Sequence, residues 1–330
     1  MNVQDTSSAA VAICGGIAFF LWGVRLLGDA IKAVGGDTIK TMLQLATRNP
    51  LYGVASGFAV TGVAQSITIT SVLLLSFIDS NLMLFEEGLA VLLGAGIGST
   101  VISHLVAFKI TEYGLHVFVV GYFLPYFLGR KYPSTVIYSS MIMAIGLLLF
   151  GQQLVSYGTV YMRKNRVVMV LIQQIDTPIL SIIAGFLFTV VVQSSGATTG
   201  VVMTMLSSGT ITLRTAMALM FGGNIGTCMT ALFAASQQKA AALRLAVAFV
   251  LMRVVMAFAL LPFMDTFIAL SSFFSFYDDK ASILATGFTL FNVLLAVAFL
   301  PVLQPFSRLM YTLVPDVPGE ALEGPEIKVC

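Results

Sequence analysis

Gln193-Ser194-Ser195-Gly196-Ala197-Thr198-Thr199 crowds five hydrogen-bonding side chains into seven positions between two strongly apolar halves. What that interruption means depends on the solvent around it. Of the 330 residues, 58% are hydrophobic and 10% charged, against roughly 25% charged in an ordinary soluble domain. Windows of about 20 apolar residues, enough to cross roughly 30 Å of hydrocarbon, recur from Ala9 to Lys280 and beyond. The solvent is therefore lipid, and soluble enzymes and nucleic-acid binders are excluded. In lipid every backbone N–H and C=O needs a partner, so a polar break survives only where it packs in protein or lines a wet cavity.

The break occurs twice. Gln65-Ser66-Ile67-Thr68-Ile69-Thr70-Ser71 is the earlier copy, and the offset that carries Gln65 onto Gln193 also carries Pro50 onto Pro178, Gly57 onto Gly185, Thr61 onto Thr189, and Gly94 onto Gly222. Glycine matches are cheap in a membrane chain, but Gln-Ser and Pro at one constant offset without a gap point to a duplicated unit. The half-segments 51–64 and 179–192 hold 14 residues each, about 21 Å as helix, too short to cross comfortably. Each therefore reads as one arm of a re-entrant hairpin that adds no crossing. With three spans per unit the second copy enters upside down.

The expected fold is an all-α integral membrane protein with an inverted two-fold repeat. Each unit has three spans plus one re-entrant helical hairpin, and an extra C-terminal span follows. Residues 1–130 form the first unit with its hairpin at about 51–80, and 131–264 the second with its hairpin at about 179–208. Residues 265–305 hold a connecting segment and the final span, and 306–330 a polar C-terminal tail. The polar start, Met1 to Ser8, has no basic region or cleavage site after it, so the first span reads as retained.

Where a half-helix begins, its free N–H groups and positive dipole end favour an anion, and neighbouring hydroxyls can complete the shell. Unwound carbonyls with Ser, Thr and Gln oxygens suit a hard monovalent cation, and both ligands fit one site. A second pair of breaks is read in the following spans, Gly94 to Thr100 and Gly222 to Thr227, where glycines either unwind the helix or let another backbone approach closely. Close packing through small residues is the commoner use.

Single residues carry less. Arg253 lies in an apolar span, where a charge costs at least about 2.5 to 3.5 kcal/mol, so it must face protein or water. Arg25 and Asp29, four apart near the end of the first span, read as an interfacial pair. Glu86 and Glu87 open a helix, and Arg214 takes the place of Glu86 in the second unit, as surface features. His104 and His116 read as interfacial polar groups. Cys14, Cys228 and Cys330 stand singly, without the spacing of a zinc site, a redox dithiol or a disulfide framework.

On these residues the chain resembles the type II sodium-dependent phosphate cotransporter family, whose hallmark is a duplicated Gln-Ser-Ser-Ser-type motif in re-entrant hairpins. Gln193 to Thr199 is similar to that motif, with Gly196 in place of its third serine. Leu21-Trp22-Gly23-Val24-Arg25-Leu26-Leu27, Thr47-Arg48-Asn49-Pro50-Leu51, Gly223-Asn224-Ile225-Gly226-Thr227 and Thr289-Leu290-Phe291-Asn292 extend the likeness over about residues 10 to 305. The first copy departs from it: Ile67 and Ile69 stand where the motif carries Ser and Ala, and Gly96 faces Asn224.

The resemblance implies sodium-coupled movement of inorganic phosphate by alternating access, with the site between the two Gln-Ser tips, in a multi-pass protein of the cell membrane. Phosphate is then assigned to Gln65, Ser66, Thr68, Gln193, Ser194 and Ser195. Sodium, the coupling ion, is assigned to Gln65, Thr70, Ser71, Gln193, Thr198, Thr199, Asn224, Thr227 and Asn292. Arg253 either balances phosphate charge or makes an ion pair or carbonyl contact inside the bundle. No cofactor, no metal beyond sodium and no nucleic-acid partner is expected, a homodimer is compatible, and the chain reads as a short bacterial-type member without a C-terminal regulatory domain. Alternatives are an exporter, a non-transporting sensor or assembly protein on the same scaffold, and an intramembrane hydrolase using a Ser nucleophile with His104 or His116 as base.

Overall fold

Proline, capping side chains and the polar breaks set the helix boundaries. The computed structural model describes residues 3–44, 49–64, 66–80, 82–107, 113–128, 135–162, 177–236 and 238–316, and no strand occurs among them. In chain order the helices are α1 (Val3–Gln44), α2 (Pro50–Ala64), α3 (Ile67–Asp79), α4 (Phe85–Gly98), α5 (Val101–Ala107), α6 (Gly114–Leu128) and α7 (Thr135–Met162). They continue as α8 (Pro178–Val192), α9 (Ser195–Ser207), α10 (Leu213–Ala235), α11 (Ala240–Leu260), α12 (Met264–Phe273), α13 (Lys280–Phe299) and α14 (Leu303–Leu313).

Pro50 and Pro178 sit in the first turn of α2 and α8, where a missing N–H costs nothing. The Asn49 side chain accepts the Tyr52 N–H at 2.9 Å, Glu87 accepts the Leu84 N–H at 2.9 Å ahead of α4, and Asp279 accepts the Ala281 and Ser282 N–H groups at the start of α13. These are the capping contacts that orphan helix-terminal donors require.

Among the described residues six stretches are long and apolar enough to cross a membrane: Ser8–Leu27, Phe85–Ala107, Thr135–Gly158, Leu213–Ala235, Ala240–Phe273 and Lys280–Phe299. The protein is thus an all-α, multi-pass membrane protein. The last of the three spans expected in the first unit, α6, has 15 residues with Pro125 inside it and falls short of that length. Residues 306–313 belong to α14, which buries Leu303, Ser307 and Met310. Arg244, 1% exposed, holds the end of that helix by donating to the Val314 carbonyl at 2.9 and 3.0 Å and to Asp316 at 2.7 Å.

Local packing repeats at the offset that relates the two Gln-Ser breaks. A Cβ on Gly57 would collide with the Val91 carbonyl and one on Gly94 with the Val54 carbonyl. The counterparts do the same: Gly185 against the Leu219 carbonyl and Gly222 against the Ile182 carbonyl. So α2 lies backbone to backbone on α4, and α8 on α10. Of the two uses open to the second glycine stretch, the structure has close packing, because α10 runs unbroken from Leu213 to Ala235 through Gly222 to Thr227. Only the first stretch is interrupted, at Ser99-Thr100 between α4 and α5. The glycines serve close approach, and an intact helix already satisfies its own carbonyls. The second arms cross over: α3 packs on α10 and α11 as well as α4, while α9 reaches α5, α7 and α13. That exchange brings the two breaks together.

Candidate functional site

Two serines with the same backbone geometry define the site. Ser66 (φ −150, ψ 108) caps α3 and accepts the Ile69 N–H at 3.4 Å. Ser194 (φ −150, ψ 111) caps α9 and accepts the Ala197 N–H at 3.2 Å. One turn on, Thr70 donates to the Ser66 carbonyl and Thr198 to the Ser194 carbonyl, at 3.3 and 3.0 Å. Thr61 and Thr70 hydroxyls meet at 2.9 Å, and Thr189 and Thr198 at 2.7 Å. Each break is thus a helix stop, a capping serine and a threonine pair tying the second arm to the first.

Both helix N-termini open on one small cavity of about 20 Å³, lined by Ser66, Ile67 and Thr68 from one side and Gln193, Ser194 and Ser195 from the other. Ser99 and Thr227 close it, from α5's approach and from α10. The tips touch where Thr68 Oγ1 donates to the Gln193 carbonyl at 3.5 Å. A volume of that size has room for one water and none for a tetrahedral oxyanion, so this conformation holds the tips closed on each other. A larger cavity of about 330 Å³ shares Val24, Ser66, Thr68, Gln193 and Ser194 with it and continues along Arg25, Asp29 and Ile69.

Gln193 adopts φ 60 and ψ 23, the positive φ found at a non-glycine among the described residues, and its N–H donates to the Thr189 carbonyl at 2.6 Å. A non-glycine in that region costs on the order of 1 kcal/mol or more. The strain ends α8 and aims the Gln193 carbonyl at Thr68.

The structure thus gathers most of the residues assigned from sequence. Ser66, Thr68, Gln193, Ser194, Ser195 and Thr227 line the cavity. Thr70 and Thr198 lie one layer behind it, with Ser71, which donates to the Thr68 carbonyl at 2.9 Å, and the buried Thr199. Gln65 lies outside the described residues. Asn224 and Asn292, fully buried, line neither tip cavity, and the Asn224 oxygens are taken by Arg253. Arg253 therefore makes the carbonyl contact that was one of its two readings. Arg25 and Asp29, expected as an interfacial pair, both line the outer cavity. The His104 ring nitrogen Nε2 lies 2.8 Å from the Thr289 hydroxyl.

Sequence reasoning passed over Ser99, which lines the inner cavity and donates to the Gly96 carbonyl at 2.7 Å. Its signal was available, since the offset between the two units carries Ser99 onto Thr227, a residue that had been assigned.

Comparison with known proteins gives the family. The uncharacterized protein YqeW of Bacillus subtilis (strain 168) is 29% identical over 249 residues, 75% of this chain and 80% of that one. YjbB of Escherichia coli (strain K12), provisionally named for inorganic phosphate export, is 25% identical over 248 residues, 75% of this chain and 45% of its own length. The chain thus spans under half of YjbB. Sodium-dependent phosphate transport protein 2B of Homo sapiens is 44% identical over 55 residues, 17% of this chain and 8% of that one. No solved structure matches. The family model described as Na+/Pi-cotransporter matches twice, at residues 19–157 and 147–276, and the two matches start at the same offset as the two Gln-Ser breaks. Together these two matches cover most of the chain, which belongs to the Na+/Pi-cotransporter family.

Proposed function

We propose that this chain is a secondary transporter that moves inorganic phosphate in symport with sodium, by alternating access. In this reading the two units are inverted copies, α2–α3 and α8–α9 are re-entrant hairpins, and the chain works in the cell membrane without catalysing a chemical reaction. The observation that carries it is the pair of identically capped helix N-termini, at Ser66 and Ser194, opening on one shared cavity. Two positive dipole ends and their free N–H groups face the same point, which suits an anion. Gln65, Ser66, Thr68, Gln193, Ser194 and Ser195 hold the phosphate. Thr70, Ser71, Thr198, Thr199 and Thr227, with the two glutamines, supply oxygens for sodium. Separation of the tips, breaking the Thr68–Gln193 contact, is the step that opens room for the anion.

The name of YjbB supports a second direction, export, on the same machinery. Purified protein in liposomes, loaded or bathed with labelled phosphate under an imposed sodium gradient, separates the two. Sodium-driven accumulation on the side to which sodium flows supports symport. Phosphate movement that ignores the sodium gradient refutes sodium coupling, and the absence of any flux in either direction refutes transport and favours the sensor reading.

A further inference from the structure

Arg253 is buried in α11, 1% exposed, and no carboxylate pairs with it among the described residues. Its surroundings are all electron-rich. Nη1 donates to both the backbone carbonyl oxygen (3.3 Å) and the side-chain oxygen of Asn224. The Phe249 ring lies 4.6 Å from the guanidinium carbon, within the range of a cation–π contact. Asn292, on α13, brings a second amide oxygen to the same neighbourhood without a hydrogen bond to the guanidinium. Both amides are anchored the same way, Asn224 Nδ2 donating to the Met220 carbonyl at 3.1 Å and Asn292 Nδ2 to the Phe288 carbonyl at 2.9 Å. Each Oδ1 is thereby turned away from its own helix.

Residue 96 completes the picture. Gly96 is the first-unit counterpart of Asn224, so the first unit lacks the amide that the second has. The space its side chain would fill is occupied by Asn292 Oδ1, 2.5 Å from the missing Cβ, with Arg253 Nη2 at 3.4 Å. Arg253 Nε, Nη2 and Asn292 Oδ1 have no hydrogen-bond partner among the described residues. The guanidinium thus rests on the side-chain and backbone oxygens of Asn224, with the Asn292 amide oxygen beside the same Gly96 notch but not hydrogen-bonded to it, a group of neutral oxygens of the kind that coordinates a hard monovalent cation.

We propose that this amide cage is a monovalent-cation site permanently filled by the chain's own guanidinium, so that Arg253 is a tethered cation. The cage itself stands on the geometry. Its functional consequence rests on the transporter reading. Thr227 and Ser99, which close the tip cavity, lie three residues, about one helical turn, beyond Asn224 and Gly96. A fixed positive charge at that distance in a low-dielectric interior is felt at the cavity and replaces one mobile cation that phosphate would otherwise bring.

The test uses purified full-length protein in detergent. Wild type, R253A, R253K, R253M and the double variant R253A/N224A are melted in choline chloride, with guanidinium chloride or sodium chloride titrated in at constant ionic strength. R253A is expected to melt lower than wild type and to regain about 2 °C or more with guanidinium. Wild type and the double variant gain nothing. R253K is expected to fold and to show no response, because its ammonium stays in the cage. A folded R253A that responds to guanidinium no more than wild type overturns the inference. Where R253A does not fold, R253K decides. A folded R253K beside a lost R253M supports the need for a cation, whereas a lost R253K or a folded R253M overturns it. None of these melts needs transport. Phosphate flux without a guanidinium response retires the cage alone, and a guanidinium response in a chain that moves no phosphate retires the transporter reading alone.

Discussion

After its capping serine the first tip continues Ile67-Thr68, and the second continues Ser195-Gly196. The backbones superpose in their dihedrals at the caps, and the threonine pairs behind them recur at nearly equal distances. What differs is where the second hydroxyl sits. In the second tip it is Ser195, 3% exposed and directed into the cavity wall; in the first it is Thr68, one residue further, and it crosses to the Gln193 carbonyl. One residue is about 100° around a helix, so a hydroxyl that could serve the ligand in one tip serves the other tip's backbone in its counterpart. Duplication has kept the positions that the backbone requires and released those that it does not. Gly96 and Asn224 tell the same story, with Asn292 standing where the first unit has no side chain.

The sharpest way to break this comparison is to remove the two caps separately. Ser194→Ala is expected to abolish phosphate flux in liposomes and to cost about 1 kcal/mol in stability, while Ser66→Ala costs the same stability but leaves measurable flux. Equal loss at both tips would show that Ser195 adds nothing to the second. Gln193→Gly separates strain from function: a glycine relieves the positive φ, so the melting midpoint is expected to hold or rise, while flux falls at least about tenfold because a charge-assisted contact is lost. A flux unchanged in that variant removes the Gln193 side chain from the site.

A smaller effect is expected from Ile67→Ser, which gives the first tip the hydroxyl of the second. The apparent phosphate KM should fall about threefold to tenfold, read from initial rates at saturating sodium, and an unchanged KM would mean that the first tip does not contact the anion. The smallest is Gly196→Ser. Its Cβ would lie 3.1 Å from Ile102 Cγ2, a single contact that a shift of a few tenths of an ångström relieves, so a midpoint within about 2 °C of wild type is expected. A larger drop, rescued by Ile102→Ala, which removes that methyl, would locate the clash.

Much of this was legible in the residues alone because lipid leaves few options. Apolar length fixed where α4 and α5, α7, α10, α11 and α13 run, and the Gln-Ser breaks marked the only places where polar backbone could be wanted in the two short-arm segments. The constant offset between the units then paired Ser66 with Ser194 and Thr70 with Thr198 before any coordinates, because a repeated unit repeats its caps. Glycine was the weaker signal. A helix uses it either to unwind or to admit a neighbour, and only the contact of Gly222 with the Ile182 carbonyl chose the second use for α10.

Composition and spacing determined that this is a helical membrane protein with two matching polar tips, since burial in hydrocarbon and helix capping act through local sequence. The rest was decided by tertiary structure: that the tips meet across α3 and α9, that Arg25 and Asp29 face the outer cavity, and that Arg253 lies among the amide oxygens of Asn224 and Asn292. Those are contacts between residues far apart in the chain, and they depend on how whole helices cross, which no local periodicity encodes.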